Sequence, residues 1–147
     1  MPDPFLTVLG LDEDVARAVA CAERFGATLS HEGPCVFVAF EGIKGRRLLA
    51  RIDCEGYPQV PLDVVFLDPA VGHRADAPAS RDPSQWPMGL SVLHRPNGWG
   101  ICVAGTRAYQ QTHGNPGFVM SLSRLVTTLV LYSRDQGALG RGTVRGG

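Results

Sequence analysis

The chain has 147 residues, 44% hydrophobic and 19% charged, which is the size and balance of one soluble globular domain with one sizeable core. Fourteen basic side chains offset fourteen acidic ones, so no net field draws in nucleic acid or a membrane surface, and neither is expected as a partner. No apolar run reaches bilayer-spanning length, and Met1-Pro2-Asp3-Pro4 lacks the basic start and apolar stretch of a secretion signal; a cytoplasmic protein is expected.

Leu11 to Gly26 reads as a first helix. Asp12 can cap it, Glu13 and Asp14 put negative charge in its first turn, and Val15, Ala18, Val19, Ala22 and Phe25 form one apolar face. Gly26 suits a left-handed stop. Four strands are predicted next: a weak one over Ala27 to His31, then Cys35 to Glu41, Arg46 to Cys54 and Pro61 to Leu67. Leu48, Ala50 and Ile52 share one face, as do Leu62, Val64 and Phe66. Gly42-Ile43-Lys44-Gly45 and Gly56-Tyr57-Pro58 are the breaks, and links this short imply an antiparallel meander.

Asp68 to Gly98 carries five prolines and no steady period. It reads as a long irregular segment, and its place just before Cys102 marks it as functional. Phe118 to Arg134 is a second helix, with Asn115 as cap, Pro116 at its first position, and Phe118, Leu122, Leu125, Val126 and Leu129 on one face. Residues 1–136 form one α+β domain and 137–147 a flexible Gly-rich tail. The tail's closing Arg145-Gly146-Gly147 resembles the end of ubiquitin, but the chain lacks the hairpin-first pattern of a ubiquitin-like domain.

The four cysteines, Cys21, Cys35, Cys54 and Cys102, form no CxxC pair. That spacing argues against a zinc finger, a thioredoxin-type motif and a disulfide framework, and a reducing compartment keeps all four as thiols. No metal or cofactor is expected. Cys21, Cys35 and Cys54 lie on or beside regular elements and read as core or near-core. A buried small hydrophobe is the default for Cys102 as well.

Two further stretches change that reading. Gly56-Tyr57-Pro58-Gln59-Val60-Pro61-Leu62-Asp63-Val64-Val65-Phe66 and His94-Arg95-Pro96-Asn97-Gly98-Trp99-Gly100-Ile101-Cys102-Val103 resemble, in order and spacing, the "YP…PP.v.F" and "HPN…G.IC" segments of ubiquitin-conjugating enzymes, the UBC-like family. The resemblance covers roughly residues 11–134. It implies a UBC-like fold with an N-terminal helix, a four-stranded antiparallel meander, an active-site segment and a second helix, without the two extra C-terminal helices of many members. That shortened form is similar to the divergent bacterial members of ubiquitin-like conjugation operons. Arg95 stands between His94 and Pro96, where the family has His, Pro and Asn in succession, and Val60-Pro61 replaces the second "PP".

The resemblance implies that Cys102 accepts an activated ubiquitin-like protein as a thioester and passes it to a target. The partners are then an activating enzyme, the ubiquitin-like protein and an acceptor. Such an exchange needs geometry and an accessible thiolate, which cysteine supplies near neutral pH. Asn97, or backbone N–H groups at Gly98 to Gly100, would donate to the developing oxyanion; Asn97-Gly98 as a plain tight turn is the alternative. His94 would hold the loop by hydrogen bonding. His113, in a polar loop, is either a base for the incoming nucleophile or a solvated side chain. Trp86 and Trp99 either pin loops or anchor a partner. A catalytically silent UBC-like binding domain and a cysteine hydrolase using Cys102 with His113 or His94 remain as alternatives; a zinc site from these three residues lacks an evident fourth ligand.

Overall fold

The computed structural model describes residues 12–42, 45–57, 59–70, 74–80, 92–95, 98–101, 105–115 and 117–134. The described chain is α+β. Helix α1 (Asp12–Arg24) leads into strands β1 (Thr28–Glu32), β2 (Cys35–Glu41), β3 (Arg47–Asp53) and β4 (Asp63–Leu67). Strands β5 (Val92–Arg95) and β6 (Gly98–Ile101) follow, then a short helix α2 (Arg107–His113) and helix α3 (Leu122–Arg134).

Helix α1 stops as its sequence predicts. Gly26 has φ +75°, its N–H donates to the Glu23 carbonyl, and the Ala27 N–H reaches the Ala22 carbonyl at 2.7 Å. This is the paired-bond arrangement that closes a helix on glycine. The first four strands form the expected antiparallel meander, with Cys35 opposite Asp53, Val36 opposite Ile52 and Ile52 opposite Val64.

Period-two alternation sorts the sheet into two faces. Val36, Val38, Phe40, Leu48, Ala50, Ile52, Val64 and Phe66 are buried with Val15, Ala18 and Ala22 of α1 and Leu122, Leu125, Val126, Leu129 and Val130 of α3. Helices α1 and α3 pack on each other, and α3 packs on β2, so both helices lie on this face of the sheet. Cys35, Phe37, Leu49 and Leu67 form a smaller cluster on the opposite face with Ala77.

Three expectations are corrected. The stretch read as irregular from Asp68 to Gly98 contains ordered structure. Residues 74–80 cross the outer sheet face: Arg51 Nη1 donates to the carbonyls of Ala75 (3.0 Å) and Ala77, and Glu32 Oε1 accepts from the Ala75 N–H at 2.9 Å. Ser80 N–H donates to the Phe66 carbonyl at 2.7 Å. The same stretch ends in β5 and the first residue of β6, a hairpin that enlarges the sheet from four strands to six, in the order β1-β2-β3-β4-β6-β5. Prolines flanking short strands hid a pairing that depends on a partner strand far away in sequence.

The second long helix begins at Leu122 and not at Phe118, which is 51% exposed. Asn115 closes a local turn, its Oδ1 accepting from the Gly117 N–H at 2.8 Å. Ser121 is the cap: its Oγ accepts from Arg124 N–H and its carbonyl from Leu125 N–H. Finally, His113 does not stand in a loop but in the last turn of α2, a helix too short and too polar to announce itself by periodicity.

No helix among the described residues is long and apolar enough to cross a membrane. The predicted turn residues Ile43 and Lys44, Trp86, and the tail 137–147 lie outside the described residues.

Candidate functional site

The sequence motifs meet at one end of the sheet. The residues after Gly56-Tyr57-Pro58 become β4, and the residues before Cys102 become β6. These two strands are antiparallel neighbours, with Val65 opposite Gly100. Because they run oppositely, β6 proceeds toward the Asp63 end of β4. On its other edge β6 pairs with β5, which sets His94 opposite Trp99 and Arg95 opposite Gly98. Cys102, one residue beyond Ile101, lies outside the described residues, as does Asn97 in the two-residue link between β5 and β6. Helix α2 packs against β6; His113, exposed at its far end, stacks on Tyr109 with ring centroids 4.7 Å apart.

Beyond the cysteine the chain is tied down again at the same end of β4. The Gly105 carbonyl accepts from Met120 N–H at 3.1 Å, and Arg107 N–H donates to the Leu62 carbonyl at 2.8 Å. Gly105 has φ +95°, and a Cβ built there would lie 2.8 Å from Met120 Cβ and 2.9 Å from Phe118 Cε2. Only glycine combines that dihedral with so close an approach. Thr106, 1% exposed, caps α2 by accepting the Tyr109 N–H. Arg107 Nη1 lies 3.3 Å from Asp53 Oδ2 and 4.0 Å from Asp63 Oδ2. Strands β3 and β4 thus each supply a carboxylate to the Arg107 guanidinium. Asp53 and Asp63, with Cys35, Arg51 and Glu55, line a surface groove of about 180 Å³ there.

Two of the other thiols are chemically quiet. Burial, with Asp53 adding to it, raises the Cys35 thiol above its ordinary value. Cys54, with no exposed surface, is pushed up to about 12, chiefly by burial and then by Asp53. Neither is a nucleophile near neutral pH. Cys21 is half-buried on α1. The expectation of core or near-core thiols therefore holds for Cys35 and Cys54, which belong to the two buried clusters.

Sequence reasoning missed the residues that join the motifs. By sequence Tyr57 belongs to a chain break and Asp14 to the first turn of α1, yet the Tyr57 hydroxyl donates to Asp14 Oδ2 at 2.6 Å. The N–H of Leu122, first residue of α3, points to both the Tyr57 oxygen (3.2 Å) and Asp14 Oδ2 (3.3 Å). Burial, then the Asp14 bond, raises the phenol well above its ordinary range. Arg107 was missed entirely. Thr106 before it was the available signal, since Thr is a preferred helix cap. Among the described residues no group of His, Cys, Asp and Glu is arranged to hold a metal ion. No protein-family model matches the chain, and no curated protein matches it.

Proposed function

We propose that the chain is a UBC-like carrier that takes an activated ubiquitin-like protein as a thioester on Cys102 and passes it to an acceptor. The observation that supports this reading best is the direct pairing of β4 with β6, Val65 opposite Gly100. It joins the two family-like segments, far apart in the sequence, at one end of an α+β sheet. A fold alone does not specify an activity, so the thiols matter too. Cys35 and Cys54 are held protonated by burial, whereas Cys102 directly follows a strand in the sheet's outer half.

The chemistry asked of Cys102 is modest. One thioester replaces another, so the driving force is small and orientation supplies most of the rate. An acceptor amine or hydroxyl then attacks the carried carbonyl carbon. In this reading Asn97 or a backbone N–H of Gly98 to Gly100 donates to the oxyanion. His94 steadies the hairpin, and His113, at the end of a helix that packs on β6, serves the incoming nucleophile.

The test is to incubate the purified chain with an activating enzyme, ATP and a ubiquitin-like protein ending in Gly-Gly, and to weigh the products. The expected product is a one-to-one adduct that a thiol reductant removes and that becomes reductant-resistant in Cys102→Ser. Binding of the charged partner with no adduct at Cys102 would instead identify a silent docking domain.

A further inference from the structure

We infer that residues 74–80 are a displaceable strap, which lifts off the outer face of the sheet while the rest of the fold stays closed, and that Arg51 is its latch. This device stands apart from the thioester chemistry proposed above. None of the strap's residues pairs as a strand. Its backbone is held at one end by Arg51 Nη1, which donates to the carbonyls of Ala75 (3.0 Å) and Ala77, and by Glu32 Oε1, which accepts from the Ala75 N–H at 2.9 Å. At the other end the Ser80 N–H reaches the Phe66 carbonyl at 2.7 Å.

The strap covers large apolar side chains with small ones. Phe37, Leu49 and Leu67, each at most 2% exposed, lie beneath it with Cys35. Of its own residues only Ala77 and Ser80 are buried, and the Arg74 and Asp76 side chains are 61% and 76% exposed. Alanine methyl groups remove little apolar area from water, so the strap leans on its polar bonds. A segment with few buried apolar contacts opens locally, ahead of the whole molecule. Solvent already has a way in along one edge, where Ala75 of the strap and Cys35, Arg51 and Val65 of the sheet line the groove of about 180 Å³.

The place of Arg51 in the sheet points the same way. It stands opposite Phe37 on β2 and Val65 on β4, so a charged group occupies the middle of an apolar face. Under a permanent cover an apolar side chain would hold that position better, because desolvating a guanidinium offsets much of what its bonds return. Arg51 suits both states of a cover that moves. Closed, it makes charge-assisted bonds to two carbonyls. Open, its head group is solvated and interrupts the apolar patch that the strap leaves behind.

The experiment uses the full chain and two readouts of the strap, hydrogen exchange at the Ser80 amide and alkylation of Cys35 by iodoacetamide. Cys54, which has no exposed surface, reports the rest of the fold. In the wild type, Ser80 exchange and Cys35 labelling should change little with low urea, because a local opening exposes little surface. Cys54 labelling should need global unfolding and rise steeply with urea. Arg51→Met keeps an apolar stem and removes the donors. It should speed Ser80 exchange and Cys35 labelling alike, by about 10-fold, and leave Cys54 as it was. The charge change by itself acts in the opposite sense, since Arg51 favours the Cys35 thiolate. Arg51→Lys should recover part of the protection. Glu32→Ala, on the edge strand, should speed Ser80 exchange by a smaller factor, and it decides the matter alone if Arg51→Met does not fold.

Ser80 and Cys35 following the urea dependence of Cys54 would overturn the inference, because the strap then opens only with the whole fold. Wild-type Cys35 reacting as fast as a free thiol overturns it as well, since nothing then covers that side chain. Unchanged rates in Arg51→Met, or in Glu32→Ala where that variant decides, remove the latch. Equal acceleration at Cys54 has the same force, by making the effect a general loss of stability.

Discussion

The Tyr57 hydroxyl donates a 2.6 Å hydrogen bond to Asp14 Oδ2 across 43 positions of sequence. Through that bond the Gly56-Tyr57-Pro58 break is fastened to α1, and through the Leu122 N–H, shared by both oxygens, to the start of α3. An anionic oxygen at a helix N-terminus also meets the positive end of the helix dipole. Three separate elements thus depend on one small polar cluster.

Tyr57→Phe removes the hydroxyl and leaves Asp14 with one bond fewer in a half-buried place. The expected loss is about 1.5–3 kcal/mol, the range for a hydrogen bond to a charged group. Urea unfolding of Tyr57→Phe, Asp14→Asn and the double variant should give a cycle whose coupling is favourable. Additive single effects would dissociate the two residues.

Ser121→Ala deletes the cap of α3 and should cost about 1 kcal/mol. Asn115→Ala touches only an exposed turn and should cost a few tenths at most, about the noise of surface substitutions. Thermal melts of the two variants distinguish the observed start of the helix from the start its sequence suggests.

Gly105→Ala forces a side chain into a φ of +95° and against Met120 and Phe118. Backbone strain and overpacking together should cost about 3 kcal/mol. Gly33→Ala is the control. Its φ is +56° with nothing within 4 Å, so only the left-handed backbone term of about 1 kcal/mol applies. Equal losses at the two sites would show that the contact with Met120 and Phe118 carries no weight.

Alkaline pH should destabilise the fold in a way that Cys54 explains. Its thiol is pushed up to about 12 in the folded chain from an ordinary value of 9.0. The folded state therefore holds a proton that the unfolded state has released. The stabilisation is complete below about pH 9 and is lost as pH rises toward about 12, by about 1.4 kcal/mol per pH unit for one such group. Tyr57, raised likewise, adds to the loss above about pH 10. Stability measured by urea unfolding at pH 8, 9 and 10 should fall more steeply for the wild type than for Cys54→Ala. Identical slopes would mean that the Cys54 thiol ionises equally in both states.

Much of the fold was legible in the chain because its signals are local. Val15, Ala18 and Ala22 recur at helical spacing, and Val36, Val38 and Phe40 at strand spacing, and each set is buried on the helix-covered face of the sheet. Gly26 stops α1 by its own dihedral freedom. The exclusion of Cys35 and Cys54 as nucleophiles was also readable, since both sit in or beside strong strands and burial holds their thiols protonated.

What the sequence determined by itself, then, is the set of elements whose turns and periodicities lie within a few residues of one another. Tertiary structure alone decided the rest. The β5–β6 hairpin exists by pairing with β4, residues 74–80 are held on the outer face by Arg51 and Glu32, and α2 is fastened by Arg107 to Asp53 and Asp63. Each of these depends on a partner 24 or more positions away. Such contacts leave no period in the chain, because the free energy that selects them appears only when the distant surfaces meet.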